Sequence, residues 1–282
     1  MPLSIRLLTD ADPARANAIL QSAFQRPESW LTDLQLFHKL QPDGVCLACQ
    51  NEILLGMVAA IKYPPFAYVG LMGVRRESQR QGVGLALMQH ILAWLDQEHV
   101  RQVVLDASPL GQPLYEKLGF VAGEEVYILQ RQTGGLTFQC PAEIQPLSLQ
   151  NLDLITASDK RAFGADRSRL LRALLEIYPQ RAFLLNDGQG GISGYVIAQE
   201  KRIGSWVIEN AAMAEVLLKT ALSLPFNGKV SVVVPGENTD ALALLQRYGF
   251  ATVRVNRHMV RGLVAPTGQR GKIYAQASLS LG

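Results

Sequence analysis

Residues 74–84 constrain the fold of this chain more than any other stretch. They read Val-Arg-Arg-Glu-Ser-Gln-Arg-Gln-Gly-Val-Gly, between a strand-like apolar run and a segment with apolar residues at helical spacing. Glycines at a helix start let the backbone approach a ligand closely. The first N–H groups of a helix lack internal acceptors, and its dipole favours an anion. Gly82 and Gly84, with Arg80 beside them, therefore predict a cradle for a pyrophosphate.

Two other phosphate-binding motifs are excluded by the residues around these glycines. A Walker loop requires Gly-Lys-Ser/Thr after its last glycine, whereas Leu85 follows Gly84 here. A dinucleotide fingerprint requires three spaced glycines in a parallel strand–helix–strand unit. This segment has two glycines and follows several short predicted strands, so it indicates a different phosphate site.

A second motif follows at a short distance. Residues 103–107 (Val-Val-Leu-Asp-Ala) predict a strand, and residues 113–120 (Pro-Leu-Tyr-Glu-Lys-Leu-Gly-Phe) predict a helix and a turn. Together with the Val-x-x-x-x-Gln-x-x-Gly-x-Gly spacing, this arrangement resembles the acyl-CoA site of the GNAT superfamily of N-acetyltransferases. The resemblance implies an α/β (α+β) fold with a mixed, mostly antiparallel twisted sheet flanked by helices, and acetyl-CoA as the cosubstrate.

The order of the predicted elements also fits this family. Up to residue 131 the apolar patterns predict the order β-α-α-β-β-β-α-β-α-β, ending in a hairpin, and residues 132–135 predict a polar linker. The chain has 282 residues, enough for two domains. We predict tandem GNAT folds, with an acetyltransferase domain over residues 1–133 and a GNAT-like domain over residues 136–282.

The second half resembles a degenerate copy of the first. Residues 238–250 align with residues 108–120, and both segments end in Gly-Phe after a valine-rich strand. The counterpart of residues 79–84 is residues 209–214, which lack glycine and begin with Glu209; Leu245 stands where the first copy has Tyr115. A carboxylate repels phosphates, so we expect CoA in the N-terminal copy alone. The C-terminal copy would then shape the acceptor pocket.

The resemblance implies a set of cofactor-binding residues. In the family the pantetheine arm pairs with the fourth strand, here residues 71–74, where a backbone N–H would stabilise the oxyanion. Ser108 and Gln112 stand where the family often has asparagine. Lys117 could contact a CoA phosphate, or it could be an exposed lysine without a function. The positions that match the family's cofactor contacts are Met72, Gly73, Val74, Gln79, Arg80, Gln81, Gly82, Val83, Gly84, Leu85, Ser108, Gln112, Tyr115 and Lys117.

Tyr115 is the candidate catalytic residue. The matching tyrosine lies beside the CoA sulfur in many family members, and a phenol is protonated at neutral pH and can donate a proton to a thiolate. The alternative is that Tyr115 only packs between helix and sheet. A general base is not evident. Glu77 lies in the loop before the cradle, but it could equally cap the helix or pair with a neighbouring arginine.

Three residues are candidates for binding the acceptor. Asp106 ends a predicted strand beside the cleft, where it could hold an amine or orient a loop. Asp159 and Arg167 flank Gly164, in a stretch that resembles two-domain GNAT proteins and would lie near the domain interface. They could bind an ammonium and a carboxylate there, although a polar helix connection with local ion pairs explains the stretch slightly better.

Composition argues against several other classes of protein. No apolar run has the 18 or more residues of a membrane span, and the first residues do not resemble an export signal, so we expect a cytoplasmic protein. The net charge of +3 divides into −2 over residues 1–135 and +5 over the rest. Charges of mixed sign without interleaved aromatic residues argue against nucleic-acid binding.

No metal site is expected either. Cys46 and Cys49 have Cys-x-x-Cys spacing, but they lie on a predicted strand, where residues three apart point to opposite faces. No second pair of ligands accompanies them, and the four histidines are scattered as surface or packing residues.

The sequence thus predicts an acetyl-CoA-dependent N-acetyltransferase acting on a primary amine of a small molecule or amino acid derivative. Two alternatives stay open. One is a CoA-binding regulatory or sensor module, and the other is a transferase with a different acyl-CoA donor, such as a tandem enzyme resembling mycothiol synthase. The sequence does not specify the acceptor, or whether the chain forms a homodimer.

Overall fold

The computed structural model describes residues 2–132, 137–263 and 268–282, so most of the predicted linker lies outside the described residues. None of the described helices combines the length and the hydropathy that crossing a bilayer requires. The strands and α-helices are β1 (Ser4–Leu7), α1 (Pro13–Phe24), α2 (Leu31–Leu40), β2 (Val45–Gln50), β3 (Ile53–Tyr63), β4 (Phe66–Val74), α3 (Val83–Gln97), β5 (Gln102–Ala107), α4 (Gln112–Lys117), β6 (Val121–Arg131), β7 (Ile144–Pro146), α5 (Asp153–Phe163), α6 (Ser168–Ile177), β8 (Ala182–Asn186), β9 (Ile192–Ala198), β10 (Ile203–Ile208), α7 (Ala214–Leu222), β11 (Val230–Pro235), α8 (Thr239–Arg247), β12 (Ala251–Gly262) and β13 (Ile273–Ala275).

The larger of the two sheets joins both halves of the sequence. Its order is β1-β2-β3-β4-β5-β12-β6-β11, whereas the smaller sheet has the order β13-β10-β9-β8-β7. Strand β12, from the second half, lies between β5 and β6 of the first half and is antiparallel to both. On its other edge β6 pairs with β11.

The hairpin predicted to end at residue 131 is therefore wrong. Residues 121–131 form the single strand β6, because its sequence contains no turn signal strong enough to reverse the chain. Its partners on both edges come from the C-terminal half.

The two halves also share a hydrophobic core. Side chains of α1 and α2 pack in one cluster with those of α5 and α6. In this cluster the ring of Phe163 lies 5.1 Å from Tyr63 and 5.3 Å from Phe66, centroid to centroid. A separate cluster on the opposite face of the sheet packs against α3. Cys46 belongs to the α3 cluster and Cys49 packs against the other, so they face opposite sides as predicted.

Strands β4 and β5 separate soon after they meet. They are parallel and pair only at Ala67–Val103 and Tyr68–Val104. Just beyond, β4 contains a bulge, where Leu71 has a φ of 48°. The gap opens at the carboxyl ends of the two strands, which lead toward α3 and α4.

The corresponding strands of the second half separate as well, but their gap is filled. Strands β10 and β11 meet only through a bridge between Arg202 and Ser231. The short strand β13 pairs with β10 along the edge that would otherwise be free. A segment of the chain itself thus occupies this second gap.

We predict that the N-terminal half does not fold by itself. Without β12, residues 1–132 expose the facing edges of β5 and β6, and apolar residues of α1 and α2 lose their packing against α5 and α6. Expressed alone, this half should be insoluble or should lack a cooperative unfolding transition in circular dichroism. Co-expression with residues 137–282 should restore a soluble one-to-one complex. A cooperatively folded, monomeric 1–132 fragment would contradict the prediction.

Candidate active site

The start of α3 has the geometry of an anion cradle. Gly82 is the N-cap residue with a φ of 82°, and no side chain caps the helix. A β-carbon added at Gly82 would meet no protein atom within 4 Å, so space lies open in front of the helix. Arg80 is exposed and has no ion pair in the described part of the chain. The free N–H groups and the open space suit a diphosphate.

The two glutamines of the loop hold its backbone. Gln79 donates from Nε2 to the Val74 carbonyl at 3.1 Å, and Gln81 donates to the Glu77 carbonyl at 2.9 Å. Their amide nitrogens therefore fix the loop. This leaves backbone N–H groups and Arg80 as the groups that could meet a phosphate.

A cavity of about 170 Å³ lies at the gap between β4 and β5. It is bounded by the bulge of β4, the segment between α1 and α2, the strands β12, β6 and β11, and residues 278–280. Met72, Asp106, Ser108 and Tyr115, four of the predicted site residues, line it. Both halves thus contribute to one cavity.

Tyr115 lies on α4 and faces this cavity. Its ring packs against Phe120 with 5.9 Å between centroids, and burial raises the pKa of its phenol to about 12. Its hydroxyl has no hydrogen-bond partner among the residues described. The structure therefore presents a protonated, unpartnered phenol at the cavity wall.

The bulge in β4 turns one backbone donor toward the cavity. The N–H of Leu71 lies 3.3 Å from Oγ of Ser280, a residue of the cavity wall. The segment of residues 276–282, which we call the tail, packs so closely here that a β-carbon on Gly70 would approach Ser280 to 2.4 Å. Leu71 belongs to the stretch in which the sequence predicted an oxyanion donor.

Asp106 is not free to bind an amine. One carboxylate oxygen lies 2.8 Å from Nδ1 of His258, and the other accepts from Tyr68 at 2.7 Å and from Gln276 at 3.0 Å. Burial opposes ionisation of this carboxyl, but the hydrogen bond and charge of His258 lower its pKa overall. The arrangement makes Asp106 the centre of a buried network, and His258, expected at the surface or in packing, is its partner.

Asp159 and Arg167 are also committed to each other. Arg167 donates to both carboxylate oxygens of Asp159 at 2.8 and 3.0 Å, and to the Gly282 carbonyl at 2.8 Å. Their side chains are 2% and 0% exposed, and neither lines the cavity. The pair therefore ties the tail to α5, and we withdraw it as an acceptor site.

The remaining predicted cofactor residues lie on α3, on α4 and in the loop between β5 and α4. Val83, the first residue of α3, is buried, and Leu85 is exposed. Ser108 accepts from the Gly111 N–H at 3.2 Å, and Gln112 donates to Glu116 at 2.7 Å. Lys117 is exposed at the end of α4.

Several cavity residues were missed by the sequence analysis. Asp33, Trp30 and Arg26 come from the segment around the start of α2, Arg254 and Asn256 come from β12, and residues 278–280 come from the tail. Burial raises the pKa of Asp33, against the opposing charge of Arg202. Asp33 has no hydrogen-bond partner in the described ranges. A single carboxylate on an amphipathic helix gives no sequence signal that separates it from a surface residue.

The equivalent site in the second half is closed. Asn210 accepts from the Ala212 N–H at 3.1 Å and so caps the turn that leads into α7. Glu209 bonds to Arg161 at 3.0 Å. With β13 in the gap beside β10, three features argue against a second CoA site.

Comparison with known proteins agrees with this geometry. A model of the acetyltransferase (GNAT) family matches residues 11–120, and a second acetyltransferase (GNAT) domain model matches residues 155–275. Together they span most of the chain and both of its halves.

Relatives and a solved structure match along nearly the whole length. Holothin acyltransferase from Pseudoalteromonas sp. (strain SANK 73390) is 28% identical over 265 residues, covering 90% of this chain and 88% of its own. YitH of Bacillus subtilis (strain 168), named an uncharacterized N-acetyltransferase, is 27% identical over 244 residues, covering 85% and 82%. The crystal structure of a proposed acetyltransferase from Pyrococcus horikoshii has a TM-score of 0.87 at 25% identity, over 99% of this chain and 96% of that one.

These matches confirm the α/β fold predicted from the sequence and its repetition along the chain. GNAT proteins use an acyl-CoA cosubstrate, and the open start of α3 fits its diphosphate. The chain belongs to the GNAT superfamily of acetyltransferases and carries a GNAT domain in each half.

Proposed function

We propose that the protein is an acetyl-CoA-dependent N-acetyltransferase that acetylates the primary amine of a small molecule. The observation that carries the proposal is the pairing of an open anion cradle at Gly82 with a cavity that holds an unpartnered phenol, Tyr115. In the proposed complex the diphosphate lies at the start of α3. The thioester then reaches the gap between β4 and β5.

The proposed reaction exchanges one acyl bond for another. The amine nitrogen attacks the thioester carbonyl, the carbon–sulfur bond breaks, and an amide forms. The nitrogen loses one proton and the thiolate gains one, so the products are the N-acetyl amine and CoA. Holding both reactants in the cavity lowers the barrier by making the encounter intramolecular.

Tyr115 is assigned the role of general acid. Since burial raises its pKa to about 12, the phenol keeps its proton at neutral pH and can give it to the departing thiolate. The Leu71 N–H, which donates to Oγ of Ser280 at 3.3 Å, is assigned to the developing oxyanion, which would replace the Ser280 hydroxyl as its acceptor.

Asp33 is assigned the role of general base. It lines the cavity without a hydrogen-bond partner among the described residues, and burial shifts its pKa upward, toward the range in which a carboxylate accepts a proton from an ammonium more effectively. Arg202 and Tyr178 are the charged and titratable groups that face it.

Two observations favour catalysis over a CoA-binding sensor. A CoA sensor needs the cradle, but it does not need the unpartnered phenol of Tyr115 and the unpartnered carboxylate of Asp33 in one cavity. One relative is named an acyltransferase and another an N-acetyltransferase, so the names do not identify the acyl group. Comparing kcat/KM for different acyl-CoA donors decides which acyl group this protein transfers.

The cradle can be tested with Gly82→Glu. This substitution places a carboxylate where we expect the diphosphate, so the Kd for acetyl-CoA should rise by at least about tenfold, the equivalent of about 1.4 kcal/mol. Gly228→Glu is a matched control, because Gly228 has the same φ of 82° and equally open surroundings. Calorimetric titration should show wild-type affinity for the control. Equal affinities of the two variants would refute the cradle.

The role of Tyr115 can be tested with Tyr115→Phe. Loss of the general acid should lower kcat by about 10²-fold or more while the KM for acetyl-CoA stays within about twofold. Tyr63→Phe is the control, since its hydroxyl also lacks a partner in the described structure but lies outside the cavity wall. Similar kcat values for Tyr115→Phe and wild type would remove Tyr115 from the mechanism.

The role of Asp33 can be tested by the pH dependence of kcat/KM. A base acts when deprotonated, so activity should rise with pH through its pKa, and the raised pKa places this rise above the usual carboxyl range. Asp33→Asn should lower kcat/KM by about tenfold or more and abolish this rise. The exposed Glu28→Gln, from the same segment, should keep it. The same acceptor is used throughout, so ionisation of its amine is common to all profiles.

A further inference from the structure

Three polar atoms in the cavity wall are buried and have no partner within the described residues. They are Nε of Arg254, Nε1 of Trp30 and Oδ1 of Asn256. Buried polar groups in folded proteins are nearly always hydrogen-bonded. Two of these atoms, on Arg254 and Trp30, are donors, so this part of the wall lacks an acceptor.

The charges around the cavity also indicate that an anionic group is missing from its wall. Three arginines line it, namely Arg26, Arg202 and Arg254, against the carboxylates of Asp33 and Asp106. Asp106 is already matched by His258. Arg254 forms no ion pair in the described ranges; burial lowers its pKa, and the neighbouring charge of Arg26 lowers it further. A half-buried cation beside a second cation is unfavourable unless an anion joins them.

We propose that the acceptor carries a carboxylate as well as its amine, and that Arg254 and the indole N–H of Trp30 bind this carboxylate. The inference rests on the proposed function and narrows it to a class of acceptor, the small amino acids and their analogues. Asp33, the free carboxylate of the same cavity, faces the amine. The planar guanidinium of Arg254 suits the two oxygens of a carboxylate.

The phosphates of CoA are a poorer explanation for these donors. They have a separate site at the start of α3 with Arg80, which follows β4 in the chain. Arg254 instead lies on β12, on the same strand as His258 and Asn256. The cavity of about 170 Å³ also resembles in size the roughly 150 Å³ cavity that holds one benzene. A cavity of this size therefore admits a small acceptor.

The test compares carboxylates with their neutral amides. Glycine, β-alanine and 4-aminobutyrate are each measured against the corresponding primary amide, by calorimetric binding to the CoA-loaded protein and by acetyl-CoA consumption. The best carboxylate should exceed its amide by on the order of tenfold in affinity and in kcat/KM, as expected for loss of a hydrogen bond to a charged group. The matching aminophosphonate shows whether the site prefers a planar anion or any anion.

Variants of Arg254 then test whether this residue causes the preference for a carboxylate over its amide. Arg254→Gln should reduce the carboxylate-to-amide ratio to about one and leave the Kd for acetyl-CoA unchanged. Arg257→Gln is the control, because Arg257 lies on the same strand but bonds to Gly123 and Glu125 away from the cavity, and it should keep the wild-type ratio. Arg254→Lys keeps the positive charge but not the planar guanidinium with its paired donors, so it should give an intermediate carboxylate-to-amide ratio.

The outcomes separate this inference from the proposed function. If no carboxylate binds the CoA-loaded protein more tightly than its amide, or if Arg254→Gln keeps the preference, the inference is overturned even when neutral amines are acetylated. A preference for the phosphonate over every carboxylate overturns the choice of a carboxylate. If acetyl-CoA fails to bind, or no amine of either kind is acetylated, the proposed function itself fails.

Discussion

The insertion of β12 between β5 and β6 is the interaction on which the rest of this structure depends. A strand in the middle of a sheet is held by hydrogen bonds along both edges, so the far end of the chain is tied into the N-terminal half. The same strand brings His258 opposite Asp106 and places Asn256 and Arg254 in the cavity wall. The chain then returns through β13 and carries the tail across Gly70. The candidate active site is thus assembled by a long-range pairing, although its phosphate loop is local.

The two copies of the fold differ in what occupies the gap beside their fourth strand. In the N-terminal copy β4 and β5 part and leave a cavity, whereas in the C-terminal copy β13 pairs with β10 in the equivalent place. A free strand edge exposes unpaired backbone groups, which must be satisfied by a ligand, by water or by another part of the chain. The C-terminal copy satisfies them internally, and Asn210 likewise caps the turn that opens its helix. Loss of the glycines is therefore accompanied by structural changes that stabilise the copy without a ligand.

The sequence predicted what local patterns determine. The order of elements through β6 and the helix after Gly82 follow from short-range spacing, whereas the placement of Tyr115 beside the gap was implied by the family resemblance. It did not predict β12 and β13, because strand pairing across more than 100 residues leaves no mark in local periodicity. The same limit explains Asp159 and Arg167, whose charges suggested a ligand site until the fold placed them against each other and the Gly282 carbonyl. Asp33 and Arg254 are the converse case, since only the fold shows that each reaches a cavity without a partner.

An unpartnered polar atom is not by itself evidence of a site, and this chain shows why. Tyr63 and Trp206 also bury polar atoms without partners among the described residues, but neither lines the cavity. The Trp206 ring packs against Tyr274 within a core, with 4.9 Å between ring centroids. There the cost of one orphaned donor is offset by the burial of a large aromatic ring. The buried Nε of Arg254 has no such compensation, because a charged group gains little from apolar packing and loses its hydration. The presence of Arg254 and Asp33 in one cavity therefore supports the proposed ligand with the opposite charges, next to the gap where we propose that the thioester binds.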